Sequence, residues 1–503
     1  MGNTTNKDTP DKGEIDISNF EGTMQTNMLK MKQDDVFKKY RVLEVIGKGS
    51  MGYTANVKIR NKKLGGSAAT VGKKGILQKM KRKCPGIDEF REETVEYALK
   101  SIQVEGVSEK SRQEIRNEIN ILKVMDHPNI IRAYEVFENT SNIYLVLEWC
   151  DGGDLYTRGP YSEKYSRRIS KQLLSAVKYM HDRGVVHRDL KFENIMWEND
   201  SEDSEIKIIN FGLSRKFGYG EQDVMSEGVG TMYTMAPQVL QGVYTSQADL
   251  WSCGVIIYML LSSHRPFRHK KRLVMIDRMM RAKYSVTGKG WEGISLEAVD
   301  LVTQLIKLDP EKRLNATSAL KHVWLSADFE PAYSRRDTNE DKKMMASMAA
   351  YGNSSKLKKI AMNIIAHKSS SKEIMGLKKR FVEYDSSNDG IIEFHEFKAA
   401  LKEANYAEED ISKMFKGVDI DNNGMIEYTE FIASTIEAYG KIEEERIAEA
   451  FDQLDEDSSG RISRANLLRF LGQDARTEEV DEMLYEWDEN KDGMSKFQEE
   501  FLY

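Results

Sequence analysis

The run His187-Arg188-Asp189-Leu190-Lys191-Phe192-Glu193-Asn194 brings three kinds of functional group together. Asp189 offers a carboxylate that can accept the proton of a hydroxyl, Lys191 a cation that can neutralise a phosphoryl group in transit, and Asn194 an amide oxygen that can ligate magnesium. Phosphoryl transfer to an alcohol uses all three in this order. His187 and Arg188 suit the rigid backbone that such a loop requires. Upstream, Gly47-Lys48-Gly49-Ser50-Met51-Gly52 follows the apolar run Val42 to Ile46, and missing side chains there would let backbone amides close over a polyphosphate. A glycine-rich loop alone is weak evidence. It gains weight from Tyr97-Ala98-Leu99-Lys100, a strand-like run ending in a lysine, and from Glu118 in the helical pattern that follows. A lysine held by a carboxylate can orient the α- and β-phosphates of ATP.

A second set of oxygens lies near the other end of the chain. A twelve-residue calcium loop needs ligands at positions 1, 3, 5, 7, 9 and 12 and a glycine at 6. Asp385, Ser387, Asp389, Gly390, the Ile391 carbonyl, Glu393 and Glu396 meet this pattern. Asp419, Asp421, Asn423, Gly424, the Met425 carbonyl, Glu427 and Glu430 meet it again. A third loop has Asp455, Asp457, Ser459, Gly460 and Ser463 but ends at Asn466, so it lacks the bidentate carboxylate and is expected to bind calcium weakly or not at all. A fourth has Asp488, Asn490, Asp492, Gly493 and Glu499, with Ser495 where an apolar residue is usual, and stays open between binding and a purely structural role. The four starts recur every 33 to 36 residues, roughly one helix-loop-helix unit each.

These groups must be positioned by more than one domain. At 503 residues the chain exceeds one ordinary core, and 40% hydrophobic with 31% charged residues excludes disordered and membrane classes. The net charge of −7 does not favour a nucleic-acid partner. Cys84, Cys150 and Cys253 are too scattered for a disulfide framework or a zinc cluster, which points to a reducing, cytoplasmic setting. Met1-Gly2-Asn3-Thr4-Thr5-Asn6 offers the Gly2 of an N-myristoylation signal but has Asn6 where Ser or Thr is usual, and one acyl chain gives at most weak peripheral membrane binding. Residues 1–35 read as a flexible tail. From 40 to 325, β-branched runs alternate with helical patterns, interrupted over 61–96 by a glycine- and lysine-rich stretch that reads as an inserted basic loop, either a solvated excursion or a dock for an acidic partner. Residues 326–372 form a junction in which Leu357, Ile360, Ala361, Ile364 and Ile365 share one helical face beside Lys356, Lys358 and Lys359. That face suits either an ordinary surface helix or insertion into a calcium-sensor groove. Residues 373–503 hold the four loops.

From about Tyr40 to Leu325 the chain resembles a eukaryotic-type Ser/Thr protein kinase. The kinase-like part, basic junction and four hands together are similar to the calcium-dependent protein kinases of plants, algae and protists. The resemblance implies an α+β bilobal kinase fold followed by an all-α, calmodulin-like domain of four EF-hands. It implies ATP, Mg2+ (or Mn2+) and Ca2+ as cofactors, and protein Ser/Thr substrates with basic residues near the phosphosite, read by Glu193. It would place Ile46, Gly47, Gly49, Gly52, Thr54, Ala98, Lys100, Glu118, Glu148, Cys150, Asp154 and Met196 around the nucleotide, with Leu147 as gatekeeper. Asp249 would anchor the catalytic loop, and the helix at 357–365 would be the intramolecular switch that restrains the kinase at rest.

Three positions depart from the kinase pattern. Asn210-Phe211-Gly212 stands where the family has Asp-Phe-Gly, keeping one oxygen for magnesium but losing the full charge. Gln238 replaces the glutamate after Ala236-Pro237, so an ion pair with Arg313 becomes a neutral hydrogen bond. Thr54 stands where valine is usual. Glu221, Asp223 and Glu227 could pair with Arg188 and set the activation segment without phosphorylation, or form an ordinary acidic loop. The sequence supports a calcium-activated Ser/Thr kinase, with a calcium-sensing pseudokinase as the rival that Asn210 favours.

Overall fold

The computed structural model describes residues 28–29, 31–49, 52–60, 95–217, 225–326, 338–401, 406–439, 442, 444–457, 459–472, 477–485 and 494–495. Gly2, Glu221, Asp223, most of 61–96, and the fourth-loop ligands Asp488, Asn490, Asp492 and Glu499 lie outside them.

A six-stranded sheet opens the fold: β1 (Met31–Lys32), β2 (Tyr40–Gly49), β3 (Gly52–Ile59), β4 (Glu96–Gln103), β5 (Ala133–Glu138) and β6 (Asn142–Glu148), in the order β1-β5-β6-β4-β3-β2. Only β1 is parallel to its neighbour, Met31 facing Val136. The strand corrects the expectation of a tail through residue 35: Met28 and Leu29 are buried, and Lys32 Nζ reaches Glu135 Oε1 at 2.7 Å. Four residues of local apolarity were too short a signal against a polar background. Helix α1 (Glu109–Lys123) packs beside the sheet, its start fixed by Ser108, whose hydroxyl accepts from the Ser111 amide.

Below the sheet lies a helical lobe with α2 (Glu163–Asp182), α3 (Gln247–Ser262) and α4 (Arg272–Met280). Almost every residue of α3 is buried, as an apolar helix at the centre of a lobe must be. No described helix is long and apolar enough to cross a membrane.

The junction forms two helices, α5 (Thr338–Gly352) and α6 (Lys356–Lys368). Leu357, Ile360, Ala361, Ile364 and Ile365 are all buried, in one core with the helices of the calcium loops. Each large aliphatic side chain of the stripe contributes about 1.5–3 kcal/mol by leaving water, which ties the junction to that core. The groove reading of the junction holds, and the surface-helix reading does not. Then come α7 (Met375–Tyr384), α8 (Phe394–Ala400), α9 (Glu408–Val418), α10 (Tyr428–Thr435), α11 (Glu444–Leu454), α12 (Arg464–Leu471) and α13 (Thr477–Tyr485). Ile392 pairs with Ile426 across the first two loops, and Ile462 with Ser495 across the last two. An impaired loop thus still completes its lobe through the short strand pair.

Candidate active site and calcium loops

A buried carboxylate organises the catalytic loop. Asp249, near the start of α3, accepts from the His187 amide at 2.8 Å and the Arg188 amide at 2.9 Å, with His181 Nε2 at 3.0 Å. Burial works against the charge, yet these donors keep its carboxyl below the ordinary range. Arg188 is held at φ 66°, a left-handed conformation that a bulky residue adopts only under such constraint. Two successive amides of the loop are thereby tied to α3 through one side chain.

Asp189 sits 5% exposed at the centre. Its Oδ2 accepts from Asn194 Nδ2 at 2.9 Å and lies 2.8 Å from Lys191 Nζ. Its Oδ1 accepts from Thr231 Oγ1 at 2.6 Å, and Lys191 Nζ donates to that same hydroxyl at 2.7 Å. Sequence reasoning missed Thr231; nothing in its neighbours marks a threonine 42 residues away as a partner of Asp189. Lys100 Nζ meets Glu118 Oε1 at 2.6 Å, linking β4 to α1. The register sets Thr54 opposite Lys100 and Ala98 opposite Leu147. Ile46, Gly47 and Gly49 end β2, with Gly49 facing Gly52. A side chain at Gly52 would run into the Ser101 carbonyl at 1.8 Å, so glycine is required there by strand packing as well. Glu148 directs its amide to the Arg132 carbonyl at 2.9 Å, Cys150 is a buried thiol, and Asp154 bridges to Met196 across the cleft floor.

Asn210 is left-handed at φ 66°, and its Nδ2 approaches Asn194 Oδ1 at 3.4 Å. An aspartate here would set two oxygens face to face; asparagine supplies a donor instead. Both amides carry oxygens suited to a hard cation, so the donor set fits magnesium in kind and falls one negative charge short. Glu227 alone among the three activation-segment candidates lies within the described residues, and it pairs with Arg188 at 2.6 Å and Arg215 at 3.3 Å. Gln238 Oε1 accepts from Arg313 at 3.2 Å, the neutral contact expected, and burial pushes the Arg313 guanidinium down to about 10 against the opposing pull of the Asp309 charge.

In the first calcium loop, Asp385 accepts from the amides of Asp389 at 3.1 Å and Gly390 at 2.9 Å. Glu396 accepts from the Ser387 amide at 2.7 Å, and a hydroxyl, Ser387 Oγ, donates to Asp385 at 3.2 Å. Ile391 and Glu393 follow the turn, with the Glu393 amide bonded to Glu396 at 3.0 Å. In the second, oxygens of Asp419, Asp421 and Glu430 come within 4.8 Å of one another, beside Asn423, Met425 and Glu427. Both loops supply the oxygen donors, several of them anionic, that calcium takes, and in the second three carboxylates already converge. In the third, Asp455 accepts from the Ser459 and Gly460 amides, Asp457 from Ser459, and the Asn466 oxygen is taken by the Ser463 amide at 2.9 Å. Position 12 closes the capping box of α12 just as Glu396 and Glu430 close those of α8 and α10, but Asn466 does so with a neutral amide that has one oxygen and no charge.

Gathering these carboxylates has an electrostatic cost. Burial, then the Asp389 charge, pushes the Asp385 carboxyl up to about 7, and burial with Asp421 and Glu427 raises Glu430 well above its usual range. A raised carboxyl is protonated below its pKa, and calcium binds only the ionised form. Calcium affinity of the first loop is expected to fall by about tenfold between pH 8 and pH 6, with proton release on binding near pH 7. Calorimetry in buffers of different ionisation enthalpy reads both, and pH-independent affinity without proton release would refute the assignment.

The calcium module is seated on the kinase-like lobes through charges that the sequence did not reveal. Arg132 donates to the carbonyls of Ala366, His367 and Ser369 at the end of α6. Asp126 accepts from the amide and hydroxyl of Thr429 at 2.7 and 2.8 Å. Lys178 and Arg183, from α2 and its cap, contact two loop carboxylates directly: Asp389 at 3.2 Å and Glu427 at 2.6 Å. Gly390 presses against His127, where a side chain would come within 2.0 Å. Each partner lies far away in sequence, so no local pattern announces it.

The protein kinase domain family matches residues 88–325, and an EF-hand domain pair matches 374–435 and 444–499. The chain is 34% identical to calcium-dependent protein kinase 15 of Oryza sativa subsp. japonica, over 80% of this chain and 75% of the relative. It is 36% identical to calcium-dependent protein kinase 29 of Arabidopsis thaliana, over 80% and 76%. It is 34% identical to calcium-dependent protein kinase 3 of Plasmodium berghei (strain Anka), over 79% and 74%.

Proposed function

Because the chain belongs to the calcium-dependent protein kinase family, we propose that Asp189, Lys191, Asn194, Lys100 and Glu118 carry out its reaction. The protein is a calcium-activated serine/threonine protein kinase that uses ATP, Mg2+ and Ca2+. The observation that carries the residue assignment is the single cluster around Asp189, in which a carboxylate, a lysine, a hydroxyl and an amide meet within hydrogen-bond distance.

Asp189 accepts the proton of the incoming hydroxyl and aligns its oxygen with the γ-phosphorus. Thr231 and Asn194 hold the carboxylate in one orientation during this step. Lys191 stabilises the negative charge that spreads over the transferred oxygens. Lys100, fixed by Glu118, positions the α- and β-phosphates. Asn194 and Asn210 would hold magnesium through neutral oxygens, and the ion would supply positive charge to offset that of the phosphates. Protein substrates are expected to carry a basic residue near the acceptor, because the exposed Glu193 stands next to Asn194. A cytoplasmic setting accords with the free thiols of Cys150 and Cys253, with Gly2 acylation adding at most marginal membrane contact.

Asn210→Asp tests how far the missing charge limits the enzyme. It is expected to lower the magnesium concentration for half-maximal rate by about tenfold, a coordinating charge being worth about 1–2 kcal/mol in a partly solvated site. Peptide phosphorylation titrated with magnesium measures it. An inactive natural chain alongside an active Asn210→Asp variant would instead favour the pseudokinase.

A further inference from the structure

One side of the catalytic loop opens onto a run of cations that neither the phosphoryl-transfer site nor the calcium loops use. From His264 to Arg272 the chain reads His-Arg-Pro-Phe-Arg-His-Lys-Lys-Arg, and the next carboxylate, Asp277, is paired with Arg281 at 2.8 Å. Arg265, Arg268, Lys270, Lys271 and Arg272 are all exposed. Helix α4 starts inside this run: Lys271 caps it without a side-chain acceptor, and its first turn holds no acidic residue. Cations at a helix N-terminus add to the positive end of the dipole instead of offsetting it. In a protein of net charge −7, this strip is a local field of the opposite sign.

The strip is tied to the reaction through aromatic side chains. The Arg265 guanidinium lies 3.9 Å from the centre of the Tyr233 ring and donates to Tyr156 at 3.0 Å. Tyr233 in turn donates to Glu193 at 2.5 Å. Glu193 adjoins Asn194, and Tyr233 lies two residues beyond Thr231, so both stand beside the groups that hold Asp189. A cleft of about 680 Å³ brings His264, Arg265 and Arg268 together with Tyr156, Met259 and the catalytic-loop residue Phe192. The cations thus share a cleft with the loop that carries Asp189.

We propose that this strip is a docking surface for an acidic segment of the protein substrate, lying beyond the residues that flank the acceptor. The proposal rests on the kinase reading and refines its substrate class. Glu193 suits a basic residue close to the acceptor, and the strip suits carboxylates farther along the same chain, with arginine able to bind them in bidentate fashion. Exposed pairs of this kind contribute modestly each and depend on salt.

The test uses the full chain and fluorescence anisotropy of labelled serine peptides: a neutral one, and versions extended at either end, through a flexible linker, by a block of glutamates or of lysines. One of the glutamate-extended peptides is expected to bind about tenfold more tightly than the neutral peptide at low ionic strength, an advantage that shrinks with added salt. The advantage is expected to vanish in Arg268→Glu/Lys271→Glu and to weaken in the milder Arg268→Gln/Lys271→Gln. Binding is read without turnover, so a separate phosphate-transfer assay on the neutral peptide reports failure of the kinase reading independently. Equal binding of all peptides, preference for the lysine block, or an advantage that survives both double variants would overturn the proposal. So would charge-dependent binding to phosphatidylserine vesicles, lost in the same variants, with no peptide preference.

Discussion

Asp189→Asn is expected to lower turnover by about a thousandfold, within the range attributed to a positioned general base, while leaving the affinity for ATP nearly unchanged. The amide has almost the same shape, so Thr231 and Asn194 keep a partner and the loop anchored by Asp249 keeps its fold. What disappears is the ability to take the hydroxyl proton and to attract Lys191, now 2.8 Å away. The contrast between a lost kcat and a preserved ATP affinity distinguishes a chemical role from a structural one. Steady-state phosphorylation of a serine peptide, with ATP binding followed separately, measures both. A variant that keeps more than about a tenth of the natural turnover would remove Asp189 from the chemistry.

Glu396→Gln combined with Glu430→Gln is expected to raise the calcium concentration for half-maximal activity by more than about a hundredfold, because each loop loses its bidentate ligand. The loops should stay folded. Glu396 accepts from the Ser387 and Glu393 amides, and Glu430 from the Ile420 and Glu427 amides at 2.9 Å each. A glutamine keeps one of its two amide contacts and gives up the other together with the charge for the metal. Because Asn466 already fills position 12 of the third loop with a neutral amide, that loop is not expected to compensate. Activity as a function of buffered free calcium checks the shift, and an unaltered calcium response would assign sensing to the second pair of hands.

Much of this was legible in the sequence where chemistry is local. The catalytic run from His187 to Asn194, the two complete calcium loops and the apolar face of α6 each encode their geometry within a dozen residues, and the structure builds compact elements from them. Gln238 and Arg313 meet as expected because both departures from and matches to the kinase pattern name a position as well as a residue type. What stayed hidden depends on long-range packing. Thr231 reaches Asp189 only after the activation segment folds back. Arg183 and Lys178 look like ordinary helix cations until they meet Glu427 and Asp389, more than 200 residues away. The strand at Met31 was hidden for a different reason: it is two residues long, and what places it is pairing with β5 and the contact of Lys32 with the buried Glu135. No periodicity can appear in so short a segment.

The seating of calcium-loop carboxylates on α2 also bears on regulation. Lys178 and Arg183 lie against Asp389 and Glu427, so any gain or loss of charge in those loops is felt on the kinase side of the contact. Sensor and catalyst share side chains at this boundary.

The central claim is that one chain both senses calcium and transfers phosphate despite Asn210. It is tested most directly by transfer of the ATP γ-phosphate to a serine peptide by the full natural chain in magnesium, with and without calcium, beside Asp189→Asn. The account predicts transfer by the natural chain that rises with calcium and falls by about a thousandfold in the variant. No transfer by the natural chain at any magnesium or calcium concentration, or equal transfer by both proteins, would contradict it.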